Sequence, residues 1–186
     1  MVHATRLLLW LAFLGATALP ASAQDATGPL AALLARDANP DGPFAKRGAA
    51  AADAVVERAR EQLGRRYQFA ASSPDRGFDC SGLVRYVLKS VGVELPHNAA
   101  RIAHEGEHVD ADSANMRPGD LLLFDRGRST RISHVGIYVG DGRMIHASTS
   151  QRRVVETRVP GRGSSLNLRT VRRVLRDSTT TRSGSE

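Results

Sequence analysis

The chain has 186 residues and a formal net charge of +7, and 41% of its residues are hydrophobic. This length predicts one folded domain with appended segments, and a single cysteine excludes an internal disulfide. The positive charge favours an anionic partner. Aromatic residues make up only 5% of the chain, which argues against the stacking platform that single-stranded nucleic acids require.

Residues 1–23 have the pattern of a secretory signal peptide. Arg6 precedes an apolar stretch over residues 7–19, and Ala21-Ser22-Ala23 forms an A-x-A cleavage site. The alternative is a membrane anchor, but the apolar stretch is short for a membrane span. We therefore expect export to the periplasm or the extracellular cell wall, with no stable membrane anchor after cleavage. An exported basic surface would meet an acidic wall polymer rather than nucleic acid.

Residues 24–48 are rich in Ala, Pro, Gly and Asp, which predicts a linker or flexible N-terminal segment. A folded domain is expected over residues 49–176 and a disordered tail over residues 177–186. Its first helix is predicted over residues 51–63, where apolar residues recur at helical spacing and Gly64 follows as a stop. Residues 65–77 are predicted to form a loop that carries Tyr67.

The only cysteine, Cys80, lies at the predicted start of a second helix. Apolar residues at helical spacing follow it, Asp79 is a good N-cap, and Gly92 is a natural stop. Unpaired N–H groups and the positive end of the helix dipole would stabilise a thiolate there. Two interpretations stay open at this point: an activated nucleophile or a buried structural thiol.

The second half of the chain has a different periodicity. A short helix is predicted from His97 or Asn98 to about Glu105, ended by Gly106. Strands are predicted over residues 121–124, 134–139, 144–147, 153–157 and 168–174, with a hairpin turn at Gly140-Asp141-Gly142. Helices followed by an antiparallel sheet predict an α+β fold.

A cysteine nucleophile needs a histidine base and a group that orients it. His134 and His146 lie on the two predicted strands of the hairpin. A three-residue or bulged turn places both imidazoles on one face of the sheet, whereas a plain two-residue turn places them on opposite faces. A metal site built from His97, His104 and His108 is the weaker alternative, because these residues lack the further ligands of a zinc site.

Three motifs resemble those of the NlpC-type family of papain-like cell-wall cysteine peptidases. They are Asp79-Cys80-Ser81-Gly82-Leu83-Val84, Arg117-Pro118-Gly119-Asp120-Leu121, and Ser133-His134-Val135-Gly136-Ile137-Tyr138-Val139-Gly140 with Ile145-His146-Ala147-Ser148. The resemblance implies a papain-like α+β fold in which the cysteine helix packs on a central antiparallel sheet. It also implies the peptide stems of peptidoglycan as substrate, and typically a cut between γ-linked D-glutamate and a diamino acid.

The same resemblance implies roles for individual residues. Cys80 matches the nucleophile, His134 the base and His146 the residue that orients His134. Tyr67 matches an oxyanion or pocket residue, and further groove residues are matched by Asp79, Ser81 and Ser133. No metal or other cofactor is implied, and no regulatory partner is identified. A carboxylate at Asp79 should raise the pKa of the neighbouring thiol unless it caps the helix or meets a cationic substrate group.

The chain departs from the family pattern in two places. Residues 70–77 replace a Gly-Gly pair before the cysteine motif, and Pro96-His97-Asn98-Ala99-Ala100 replaces an Arg-x-Ser segment after the cysteine helix. Both departures concern the rim of the expected cleft. Two alternative functions stay open: an amidase or transpeptidase of the same fold group, and a non-catalytic wall-binding module.

Overall fold

The computed structural model describes residues 43–111, 114–127, 130–161 and 164–175. The predicted signal peptide, most of the predicted linker and the predicted tail lie outside the described residues, so these assignments stay predictions. Within the described ranges, no helix has both the length and the apolar character needed to cross a membrane.

The first helix, α1, spans Pro43–Arg60. It begins at Pro43 rather than at the predicted residue 51, so residues 43–48, which we assigned to the linker, are helical. Proline is favoured in the first turn of a helix, and alanine, which occupies four successive positions from Ala49, has the highest helix propensity of any residue. The helix buries Val55 and Ala59 completely, and Gly64, with φ of +81°, allows the chain to turn away.

The cysteine helix, α2, spans Cys80–Lys89, close to its predicted position. Asp79 is its N-cap and accepts a hydrogen bond from the Gly82 N–H. A fully buried apolar face packs against α1 and the sheet, and it consists of Leu83, Val84, Val87 and Leu88. Burial of each such side chain stabilises the fold by about 1.5–3 kcal/mol.

Two segments differ from the predicted elements. The short strands β1, Ser72–Ser73, and β2, Gly77–Phe78, pair within the predicted loop. The third helix, α3, spans only Ala99–Ile102, capped by Asn98, so the predicted extent to Glu105 is wrong. The chain leaves the helix early because strand β3, Glu107–Val109, pairs with the last strand of the sheet.

The sheet has six strands and all its pairings are antiparallel, which confirms the predicted α+β arrangement. Its order is β3-β8-β4-β5-β6-β7. The remaining strands are β4, Leu121–Arg126; β5, His134–Gly140; β6, Arg143–Ser148; β7, Arg153–Arg158; and β8, Leu166–Arg173.

The central strand β4 is buried on both faces. Leu121 and Leu123 join the core between the helices and the sheet, whereas Leu122 and Phe124 join a smaller cluster on the opposite face. This double burial explains why β4 reads as an unbroken apolar run rather than an alternating one. The helix-side core also holds Val135 of β5, the residue after His134, so α2 and β5 meet where the chemistry is expected.

Candidate active site

A cavity of about 420 Å³ opens beside the N-terminus of α2, and we call it the cysteine cavity. Six of the seven predicted site residues line it: Tyr67, Asp79, Cys80, Ser81, Ser133 and His134. His146 does not line this cavity. It lies behind His134 and lines an adjoining cavity of about 430 Å³, which we call the histidine cavity.

Cys80 sits in the first turn of α2, where the backbone N–H groups have no partner within the helix. Burial raises the pKa of its thiol, and the Asp79 charge acts in the same direction. Hydrogen bonds from the backbone of Val135 and Ser81 and the charge of Arg126 lower the pKa, but the net direction is upward. Burial therefore opposes the thiolate that the helix terminus would stabilise.

His134 and His146 are in direct contact. His134 Nε2 lies 2.8 Å from His146 Nδ1, and the two rings meet edge to face at an interplanar angle of 86°. The β5–β6 hairpin has a bulge between Tyr138 and Gly140, which places both imidazoles on one face. The bulged turn that a shared face requires is thereby confirmed.

The contact between the two rings also determines which of their nitrogens can exchange a proton or a hydrogen bond with other groups. His134 uses Nε2 toward His146, so Nδ1 is the ring nitrogen that this contact leaves available. For Nδ1 to accept a proton, Nε2 must carry one and donate it to His146 Nδ1. His146 Nε2 then carries a proton and donates it to Thr157 Oγ1, at 3.3 Å. Thr157, on β7, is a site residue that the sequence alone did not reveal.

Burial keeps both imidazoles neutral. Loss of solvent lowers the pKa of His134 to about 3, with further lowering by His146 and by the positive charge of Arg126. Burial likewise lowers the pKa of His146 to about 4. At neutral pH the site therefore holds two uncharged imidazoles and, with its raised pKa, a protonated Cys80 thiol.

These shifted pKa values predict acid destabilisation. Between about pH 6.5 and pH 4 the unfolded chain protonates both histidines while the folded chain does not, so the unfolded state binds more protons. The free energy of unfolding should therefore fall as pH decreases through this window, by about 3 kcal/mol or more. Urea unfolding at pH 7, 5.5 and 4.5 measures it.

A His146→Asn variant is the matched control, because it removes one of the two titrating groups. Its free energy of unfolding should depend less steeply on pH than that of the wild type. Asp125, whose pKa is lowered by its hydrogen bond from Asn167 and its pairing with Arg169, adds little in this window, because the same carboxyl in the unfolded chain is still mostly ionised at pH 4.5. Equal wild-type stability at pH 7 and 4.5 would contradict neutral, buried histidines.

Both carboxylate oxygens of Asp79 accept hydrogen bonds from groups within the protein. Its Oδ1 accepts hydrogen bonds from the Gly82 N–H at 2.7 Å, from His97 Nε2 at 2.9 Å and from Ser81 Oγ at 3.2 Å. Its Oδ2 accepts one from the Ala70 N–H at 2.8 Å. The carboxylate is thus the helix cap that the sequence suggested, and it needs no cationic substrate group to offset its charge.

At one side of the cysteine cavity, the backbone of Gly82 packs closely against Ala71 and His97. A Cβ atom at Gly82 would lie 2.1 Å from the Ala71 carbonyl oxygen and 2.9 Å from His97 Nε2. Only a glycine fits there, because backbone at that distance cannot give way. His97, in the segment that departs from the family pattern, therefore belongs to the cavity wall.

The other predicted site residues are placed as follows. Tyr67 is half-buried, and burial together with the charges of Cys80 and Asp79 raises the pKa of its hydroxyl. Its hydroxyl is therefore protonated and able to donate. Ser81 is buried and its hydroxyl is used by Asp79, whereas Ser133 is exposed at the cavity rim.

The three histidines of the alternative metal site do not come together. His97 contacts Asp79, His108 Nδ1 contacts Thr170 Oγ1, and His104 is exposed. Across the described ranges, no group of three or more His, Cys, Asp or Glu residues is arranged to hold a metal ion.

Comparison with known proteins identifies the relatives of this chain. The sequence profile of the NlpC/P60 family matches residues 64–173. Gamma-DL-glutamyl hydrolase of Bacillus subtilis is 45% identical over 99 residues, which are 53% of this chain and 24% of that protein. Murein DD-endopeptidase MepH of Escherichia coli is 37% identical over 95 residues, which are 50% of this chain and 35% of that protein. The chain thus matches only a quarter to about a third of the length of these relatives.

Solved structures give the same result. The P60 domain of an antigen from M. avium subspecies paratuberculosis has a TM-score of 0.59 and 30% identity, covering 70% of this chain and 98% of that one. The peptidoglycan hydrolase RipB from Mycobacterium tuberculosis has a TM-score of 0.57 and 29% identity, covering 76% and 71%. The papain-like fold expected from the sequence motifs is confirmed. The chain belongs to the NlpC/P60 family.

Proposed function

We propose that this protein is an exported peptidoglycan hydrolase that cleaves the bond between γ-linked D-glutamate and a diamino acid, with Cys80 as nucleophile. One observation carries the proposal: Cys80 and His134 line the same cavity, and His146 lies 2.8 Å behind His134. The γ-D,L bond is supported by the 45% identical relative, whose name specifies that linkage. Export is supported by the signal-peptide pattern of residues 1–23.

The reaction begins with a neutral thiol and a neutral imidazole. As Cys80 Sγ attacks the scissile carbonyl carbon, its proton passes to His134 Nδ1. The imidazolium that forms donates from Nε2 to His146 Nδ1, and His146 in turn donates to Thr157. This line of hydrogen bonds holds the His134 ring in one orientation and stabilises its charged form.

The negative charge on the carbonyl oxygen needs hydrogen-bond donors. The Cys80 N–H, in the first turn of α2, is one donor, and the protonated Tyr67 hydroxyl is the second. Each such donor lowers the barrier by about 3 kcal/mol. His134 then protonates the leaving amine, and water releases the acyl group from Cys80.

Digestion of purified sacculi tests the bond that is cut. Wild-type protein should release fragments that end in γ-linked D-glutamate and fragments that begin with the diamino acid, both identified by mass spectrometry. The Cys80→Ala variant provides the background control. Cleavage at a D-alanine cross-link would instead favour the activity named for the Escherichia coli relative.

Three further results of the same digestion would identify a different activity. Release of intact stems that begin with L-alanine would identify an amidase, and new cross-links would identify a transpeptidase. Tight binding of wild-type protein to sacculi without any cleaved bond would identify a wall-binding module. Each of these results would overturn the proposed γ-D,L cleavage.

A further inference from the structure

The cysteine cavity and the histidine cavity meet at a small set of side chains. Both cavities are lined by Arg126, His134 and Thr149. Arg126, the last residue of β4, is exposed, and its Nη2 donates a hydrogen bond to Thr149 Oγ1 at 3.2 Å. Its side chain therefore lies with His134 on the wall that the two cavities share.

The charge of Arg126 has no acidic partner in the part of the chain that the structure describes. The one acidic residue that lines either cavity is Asp79, whose oxygens already accept four hydrogen bonds. The neighbouring Asp125 is held by Asn167 and Arg169 on the sheet. One hydroxyl contact leaves most of the five N–H donors of an arginine available.

The positive charge also reaches the reacting groups. It opposes the burial that raises the pKa of the Cys80 thiol and of the Tyr67 hydroxyl, and it adds to the burial that lowers the pKa of the His134 imidazole. Three separate groups of the site thus sense a cation that nothing in the described structure neutralises. An anion bound to Arg126 would lie close to these three groups, and therefore close to the scissile bond.

A guanidinium with free parallel donors is suited to a carboxylate, which it binds through two hydrogen bonds. We infer that Arg126 binds a substrate carboxylate adjacent to the scissile amide and makes the enzyme selective for the acid over the amide at that position. The inference rests on the proposed function. A γ-linked glutamate keeps a free α-carboxylate, and the diamino acid carries a carboxylate on the leaving side, so both sources have the required chemistry.

Four synthetic stem peptides test the inference and separate the two sources. One has both carboxylates, one has the glutamate α-carboxamide, one has the diamino-acid carboxamide, and one has both amides. For wild-type protein, kcat/KM should fall about 10- to 100-fold when the carboxylate that contacts Arg126 becomes an amide. The peptide that shows the fall identifies which carboxylate is bound.

Arg126→Gln removes the charge and keeps a polar side chain of similar reach. This variant should lose about 10- to 100-fold in kcat/KM on the sensitive acid peptide and much less on the corresponding amide, so its acid-to-amide ratio should fall toward one. The acid-to-amide ratio of Arg126→Lys should lie between the ratios of the wild type and of Arg126→Gln. Arg152→Gln, at an exposed arginine that lines neither cavity, is the matched control and should keep the wild-type acid-to-amide ratio.

The outcomes separate this inference from the proposed function. If the wild type cleaves all four peptides equally, or if Arg126→Gln keeps the wild-type acid-to-amide ratio, the inference is overturned while the hydrolase assignment stands. If the wild type cleaves none of the peptides, the proposed function fails and the inference fails with it. Thermal unfolding of each variant verifies that it is folded.

Discussion

Replacing Cys80 by alanine should abolish hydrolysis of purified peptidoglycan, with a loss in kcat of at least about 10⁴-fold. The variant has no atom that can form the acyl intermediate, and the histidines alone do not replace it. A defined stem peptide gives kcat, and release of soluble fragments from sacculi gives an independent measure.

The fold of the Cys80→Ala variant should be intact, because the half-buried thiol only borders the fully buried apolar face of α2, which consists of Leu83, Val84, Val87 and Leu88. Its urea midpoint should therefore match that of the wild type. Cys80→Ser is a second control, since it keeps the volume but replaces the thiol by a far weaker nucleophile, and it should be similarly inactive. Wild-type turnover in either variant would eliminate Cys80 as nucleophile.

Loss of His134 should cost far more activity than loss of His146. His134→Ala removes the group that takes the thiol proton, and kcat should fall by about 10³–10⁴-fold. His146→Ala leaves that base in place but unoriented, so the fall should be about 10–100-fold. In the proposed mechanism His146 acts through His134, with which it makes the 2.8 Å contact.

The conservative variant His146→Asn provides the comparison for orientation. Its side-chain oxygen keeps an acceptor for His134 Nε2, so it should retain more activity than His146→Ala. Steady-state kinetics on one stem peptide measures all three variants. A larger loss for His146→Ala than for His134→Ala would exchange the two assigned roles.

Sequence patterns predicted the helices and strands whose caps, apolar faces and stops lie within a single stretch of the chain. The cysteine helix has a cap, an apolar face and a stop within one stretch, and the central strand is a continuous apolar run. The two-residue strands β1 and β2 and the three-residue strand β3 have no such pattern, because their pairing partners create them. The predicted helix after Asn98 is too long for the same reason, since pairing of β3 with β8 competes with it.

The sequence predicted which residues form most of the candidate site, but it did not predict how deeply the fold buries them or which groups surround them. Cys80 and His134 were indicated by motifs, and the shared face of His134 and His146 by a parity argument that required a bulged turn. The direction of the Cys80 pKa depends on burial by the whole fold, which no local pattern contains. Arg126 and Thr157 come from separate strands, β4 and β7, and only folding brings them to the two histidines.

The four hydrogen bonds to Asp79 connect three separate segments of the chain. They hold the turn at Ala70, the first turn of α2 and the connector at His97 to a single carboxylate. His134 belongs to the sheet, where it is held by His146. The proposed nucleophile and the proposed base therefore lie on two packed layers, and the apolar packing of α2 on β5 sets their alignment.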